Sequence, residues 1–182
     1  MKFCTRGAIP ISVVNNKTPE KIYEEKDSYK PFNLVSIDLR GSAMYICNPG
    51  LGCEGSKEDL CEGVHCVSNH SLNGEWNKVQ KLRNDLKSFL ESNPSFEPED
   101  VMQLLLDDVK LDLNADVKDF TTSIFVLPMN TEIGGKSFTV ATVCSTVILV
   151  DYNDEVKVLD RKWENGKDIK TERSFQYTVK KN

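Results

Sequence analysis

Gly63-Val64-His65-Cys66-Val67-Ser68-Asn69-His70-Ser71-Leu72-Asn73-Gly74-Glu75-Trp76-Asn77-Lys78-Val79 is the stretch from which the rest of the chain is read. Val64 and Val67 give it the apolar character of a short strand, and Ser68-Asn69 bring donors and acceptors to the place where a ladder would stop. Asn73-Gly74 is a turn dipeptide. Beyond it Trp76, Val79, Leu82, Leu86 and Phe89 recur at three and four residues, the spacing of one helical face, with Trp76 leading it. The expectation is a strand, a polar turn and an amphipathic helix. Polar groups at such a junction suit a binding site. They suit a plain helix cap equally well, and the residues alone leave both readings open.

Upstream, Ile9 to Val14 is apolar and β-branched and reads as a strand. Thr18-Pro19-Glu20 starts a helix that runs through Ile22 and Tyr23 and stops before Pro31: Thr caps, Pro fits the first turn, and Glu faces the positive end of the dipole. Phe32 to Leu39 is a strand with Val35, Ile37 and Leu39 on one face, turned by Arg40-Gly41-Ser42 into Ala43 to Cys47. A polar loop then extends from Asn48-Pro49-Gly50 to Glu62.

Downstream, the Trp76 helix ends before Pro94, and Glu97-Pro98-Glu99-Asp100 opens another with Val101, Met102, Leu104, Leu105 and Leu106 as its apolar side. Thr121 to Leu127 reads as a strand closed by Pro128, and Thr131 to Lys136, with Gly134-Gly135, as a flexible connection. Three strands follow: Ser145 to Asp151, Val156 to Trp163 and Ser174 to Lys180, with turns at Tyr152-Asn153-Asp154 and Asn165-Gly166. Phe175, Tyr177 and Val179 alternate with Ser174, Gln176 and Thr178, as in a half-buried antiparallel strand. The sum is an α+β fold, mostly antiparallel sheet layers with about three helices.

With 182 residues, 39% hydrophobic and 28% charged, the chain is expected to form one soluble domain over residues 1–182. Its net charge of -5 argues against a nucleic-acid partner. Met1 to Arg6 carries charge where a signal peptide needs apolar residues. The span around Val143 to Val150 falls far short of the ~20 apolar residues of a membrane helix. These features predict a cytoplasmic protein without a transmembrane segment. The six cysteines, Cys4, Cys47, Cys53, Cys61, Cys66 and Cys144, are read as free thiols.

Residue chemistry alone does not point to an enzyme. Gly50-Leu51-Gly52-Cys53-Glu54-Gly55 matches a dinucleotide-binding pattern, but Ser56-Lys57-Glu58-Asp59 opens no apolar crossover helix, so it reads as a loop. Cys53, Cys61, His65 and Cys66 lack the paired spacing of a zinc knuckle, and no metal is expected. His70, at the expected strand-to-helix turn, suits a metal or haem ligand and equally a surface or capping residue. No nucleophile stands beside a base: Lys2, not a cysteine, follows Met1.

Ser68-Asn69, Leu72 and Trp76-Asn77-Lys78, preceded by Gly63, resemble the "PG…LSNAxLxxPWxK" segment of the transport and Golgi organization protein 2 family, also called the Asn-Arg-Asp-Glu family. Thr5-Arg6-Gly7 is similar to its "SRG" segment, and Tyr29 to Val35 to its "YxGFNLV". Val140 to Asp151 resembles "YGTRSSTVLLVD", and Val156 to Arg161 resembles the "VxFxER" strand after it.

The resemblance implies an αββα sandwich of the N-terminal-nucleophile-hydrolase type. It also implies that this chain begins at the "SRG" segment and lacks the family's N-terminal portion, which carries the processed cysteine and the Asn-Arg-Asp-Glu motif. Val143 stands where the pattern has arginine, Ala141 where it has glycine, and His70 where it has a small residue. The implied role is a non-enzymatic carrier linked to Golgi organisation, secretion and haem or lipid trafficking, cytoplasmic with mitochondrial or Golgi association. The alternative is a cysteine hydrolase whose catalytic N-terminus is absent from this sequence. Candidate ligand-pocket residues are Ser68, Asn69, His70, Trp76, Thr142 and Ser145. No cofactor is required, and the ligands in view are haem or an acyl-thioester. A sandwich lacking its first strands also predicts self-association through an exposed sheet edge.

Overall fold

The computed structural model describes residues 4–39, 41–48, 55–69, 71–111 and 123–179, which form two compact units, Met1–Gly74 and Glu75–Asn182. Helices and purely antiparallel sheets make up both, an α+β architecture with no barrel among the described residues. No described helix is long and apolar enough to cross a membrane.

The first unit begins with a departure from local propensity. Ala8–Val14 is a helix, α1, where Ile9 to Val14 was expected as a strand. Pro10 falls in its first turn, where the missing N–H has no intrahelical partner to lose. Ile9, only 3% exposed, enters a core with Ile22, Tyr29, Phe32 and Ile46, whereas Val14 is 81% exposed. Burying one face outweighs the β-branched preference. Asn16, at φ 64°, ends the helix in the left-handed region that asparagine tolerates.

Pro19–Glu24 is α2, and the Thr18 hydroxyl accepts from Lys21 N–H at 3.3 Å, as its sequence leads one to expect. A 3₁₀ turn, Lys26–Ser28, follows. The buried Asn48 amide donates to the carbonyls of Lys26 (2.9 Å) and Tyr29 (3.0 Å), tying that turn to the sheet.

Strands β1 (Phe32–Asp38), β2 (Ser42–Asn48) and β3 (Ser56–Asp59) lie in that order, all antiparallel. Phe32 and Leu34 face the helices. Val35 and Ile37 share the other face, as read from the sequence, but that side of β1 is exposed. β3 arises inside the expected polar loop: four exposed polar residues pair with Met44 to Cys47. The strand expected at Val64 to Val67 does not form. Gly63 has φ 144°, and the chain from Gly63 to Val67 is irregular.

In the second unit α3 spans Asn77–Ser92, with Trp76 as the residue before its first turn and Val79 buried. Phe89 and Phe96 meet edge to face at 5.3 Å between centroids as the chain turns toward α4, Pro98–Leu104. There the Glu97 and Asp100 side chains cap each other's backbone N–H groups. The Thr121–Leu127 strand is not seen where the chain is described: residues 123–128 are irregular, and Thr121 lies outside the described residues.

Instead of a flexible connection, Gly134-Gly135 forms the turn of a hairpin, β4 (Met129–Ile133) and β5 (Lys136–Val140). Both glycines sit at positive φ, 59° and 73°, as a tight primed turn demands. The expected meander is present as β6 (Cys144–Val150), β7 (Glu155–Glu164) and β8 (Asp168–Thr178). Thr171 pairs with Lys162 and Ile169 with Trp163, so Lys170 is an extra residue at a bulge. Met102, Phe125, Val147, Leu159 and Trp163 form the core, with Phe125 and Trp163 edge to face at 5.4 Å.

Candidate functional site

The sequence-derived candidates divide between the units: Ser68 and Asn69 in the first, Trp76, Thr142 and Ser145 in the second. His70, Cys53 and the Gly50-to-Glu54 part of the glycine-rich loop lie outside the described residues.

Ser68 and Asn69 sit on the loop Gly63–Gly74, which closes on the sheet face away from the helices. Asn33 reaches from β1 and donates through Nδ2 to the Ser68 carbonyl at 2.7 Å. The same Asn33 accepts, through Oδ1, from the hydroxyl of Tyr45 on β2 at 2.7 Å. That hydroxyl can donate only while protonated. Burial, and then neighbouring Cys47, push its pKa well above the usual phenol value, so it remains a donor across the physiological range. Thus the fold grips Ser68 by its backbone, while Asn69 is exposed.

Cys66 and Asn73 clasp the loop twice: Asn73 N–H donates to the Cys66 carbonyl at 2.7 Å, and Cys66 N–H donates to Asn73 Oδ1 at 2.9 Å. A backbone N–H can only donate, so the second bond fixes which end of the Asn73 amide is oxygen. Asn73 Nδ2 is therefore the atom 3.2 Å from His65 Nδ1, and Nδ1 must accept. The ring proton then belongs on Nε2, which donates to the Cys61 carbonyl at 2.8 Å. Both imidazole nitrogens are engaged in holding the loop. Asn73 adopts φ 53°, a left-handed position that asparagine tolerates.

In the second unit, Thr142 precedes β6 and Ser145 lies within it, and both carry structural bonds. The Thr142 hydroxyl accepts from Val126 N–H at 2.9 Å while Thr142 N–H donates to the Val126 carbonyl, also at 2.9 Å. Ser145 Oγ accepts from the Trp163 indole at 3.0 Å. Val143, between them, is 68% exposed. Trp76 does not lead a buried helical face: it is half-buried ahead of α3, with the Lys78 ammonium 5.5 Å from its ring centroid.

A cleft of about 430 Å³ that the sequence reading did not mark opens over β7 and β8, lined by Glu97, Glu99, Lys157, Glu172, Ser174 and Gln176 among others. Lys157 Nζ contacts both Glu97 oxygens at 2.8 Å. Arg161 forms a fork onto Glu99, at 3.0 Å and 2.5 Å, and its Nε donates to Glu172 at 2.6 Å. The guanidinium holds the Glu99 carboxyl below its usual range, and Glu99 in turn holds Arg161 above its own. Each cation in this wall is matched by a carboxylate, an arrangement that fastens α4 to the sheet. The available signal was the alternation of Lys157, Leu159 and Arg161 along one strand face; the partner Glu99 is 62 residues away.

Among the described residues no three histidine, cysteine or acidic groups gather as a metal site. The family model for transport and Golgi organisation 2 matches residues 1–165. No curated protein matches the chain.

Proposed function

The chain belongs to the transport and Golgi organisation 2 family, and on that premise we propose that it is a non-enzymatic carrier or binding protein serving Golgi organisation and secretion. Ser68, Asn69 and His70 contribute its ligand contacts, the fold is of the N-terminal-nucleophile-hydrolase type, and the protein works in the cytoplasm with mitochondrial or Golgi association. Haem is the first ligand to test and an acyl-thioester the second. One observation carries the non-enzymatic part of this reading. In the segment that resembles the family's arginine-containing pattern, Val143 presents no charge, and the hydroxyls of Thr142 and Ser145 accept structural hydrogen bonds from Val126 and Trp163. Neither hydroxyl is bonded to a basic side chain among the described residues, so neither is set up as a nucleophile. The binding part rests on Asn69, whose exposed place on a loop gripped through its neighbour's backbone leaves it available to a ligand.

Titration with ferric haem and with an acyl-coenzyme A tests both parts. Saturable binding is expected, and Asn69→Ala should weaken it about tenfold, the loss of one buried polar contact, without moving Tm. His70→Ala should remove the Soret shift if the histidine ligates iron. Unchanged affinity in Asn69→Ala with a lowered Tm would show that Asn69 is a turn residue and end the pocket assignment. Catalytic release of free thiol from the acyl-thioester would establish the hydrolase instead.

A further inference from the structure

We propose that His65 and Asn73 form a proton-operated latch on the Gly63–Gly74 loop, closed when the imidazole is neutral and released when it takes up a proton. The inference needs no ligand and stands apart from the carrier reading. It follows from the bonds already described. Asn73 accepts through Oδ1 from Cys66 N–H and donates through Nδ2 to His65 Nδ1, while His65 Nε2–H donates to the Cys61 carbonyl.

An imidazolium carries protons on both nitrogens. The Nε2 bond survives protonation, because that atom already donates. The Nδ1 bond does not, because N–H would then face N–H across 3.2 Å. Rotating the Asn73 amide by half a turn would give Nδ1–H an oxygen to meet. The same rotation would turn the amide NH₂ against Cys66 N–H and break the bond that clasps the loop. One of two bonds must therefore be lost when the ring takes up a proton. The strain falls on the segment that carries Ser68 and Asn69.

Among the described residues the other titratable groups on and beside this loop are Cys61, Glu62, Cys66 and Glu75, and the strands beneath present Tyr45, Cys47 and Glu58; His70, on the same loop, lies outside the described residues. Tyr45 stays neutral throughout, because burial and Cys47 raise its hydroxyl. The remainder are present in every variant below and cancel in the comparison.

The test is amide hydrogen exchange of Cys66 and Asn73, at about pH 7.5 and about pH 5.5, corrected for the intrinsic effect of pH on exchange. In the unaltered chain, protection of these two amides should fall by about tenfold on acidification, as for one lost hydrogen bond. His65→Asn keeps an acceptor near Nδ1 and cannot be protonated, so its protection should be the same at both values. Asn73→Asp keeps the left-handed turn and offers a carboxylate oxygen to Cys66 N–H and another to Nδ1–H. There acidification should raise protection, reversing the sign. Equal protection at both pH values in the unaltered chain would overturn the latch. Persistence of the acid effect in His65→Asn, or an unreversed sign in Asn73→Asp, would do the same.

Discussion

The Gly63–Gly74 loop and the cleft over β7 and β8 are both polar, yet they are held by opposite means. The loop is fastened by neutral bonds, Asn33 to Ser68, Tyr45 to Asn33 and Asn73 to His65, in which every partner has one permitted orientation. The cleft is walled by charge, with Arg161 shared between Glu99 and Glu172 and Lys157 on Glu97. Neutral bonds of fixed polarity respond when a proton arrives, because donors and acceptors cannot exchange roles. Half-exposed ion pairs respond to salt, which screens them. Two polar regions of one chain thus answer to different solution variables.

The largest expected effect removes the ground beneath the charged region. Trp163→Ala takes a ring that is 7% exposed out of the core, with its contact to Phe125 and its bond to Ser145. The cost should be about 3–5 kcal/mol in urea unfolding, the usual range for a buried aromatic. A loss below about 1 kcal/mol would show that the ion pairs, not this core, hold the second unit.

Next comes Arg161→Met, which leaves Glu99 and Glu172 without their cation and should cost about 1–3 kcal/mol. Lys157→Met should cost less than about 1 kcal/mol, because its partner Glu97 is 62% exposed. Equal losses for the two would erase the distinction between a buried guanidinium and a surface ammonium.

Tyr45→Phe sharpens the neutral side. It removes the donor to Asn33 Oδ1 and should destabilise by about 1 kcal/mol. Its effect should be the same in low and high salt, whereas that of Arg161→Met should shrink as salt is added.

The smallest effect is an acid one. Glu99 has its pKa lowered in the folded state, so it stabilises above its unfolded value, and that stability is lost as pH falls through the lowered one. With the carboxylate 49% exposed, the loss should stay under about 1 kcal/mol and be absent in Glu99→Gln.

Local chemistry was legible in the sequence, and distant packing was not. Thr18-Pro19, Glu97-Pro98 and Asn165-Gly166 specify caps and a turn through their own atoms, and each forms where it was read. α1 was missed because Ile9, Ile11, Val13 and Val14 favour strands locally, while the partners that bury Ile9 are brought by folding. β3 was missed because Ser56 to Asp59 shows no apolar period at all. At the candidate site, Ser68-Asn69 was read as the end of a strand that does not form. The grip of Asn33 on Ser68 spans 35 residues and leaves no mark on the sequence around it. Thr142 and Ser145 were read as ligand-pocket candidates; the partners their hydroxyls meet, Val126 and Trp163, are known only once the strands meet.

The bulge at Lys170 bears on how this protein can change length. From Thr171 to Thr178 every residue of β8 faces a set partner on β7, so a deletion there would slide each later side chain to the opposite face. Lys170 faces no partner in that register. A chain lacking it would keep all the pairs beyond, and the Asn165-Gly166 turn would still close the hairpin. One site in the meander can thus lose a residue while its frame is preserved.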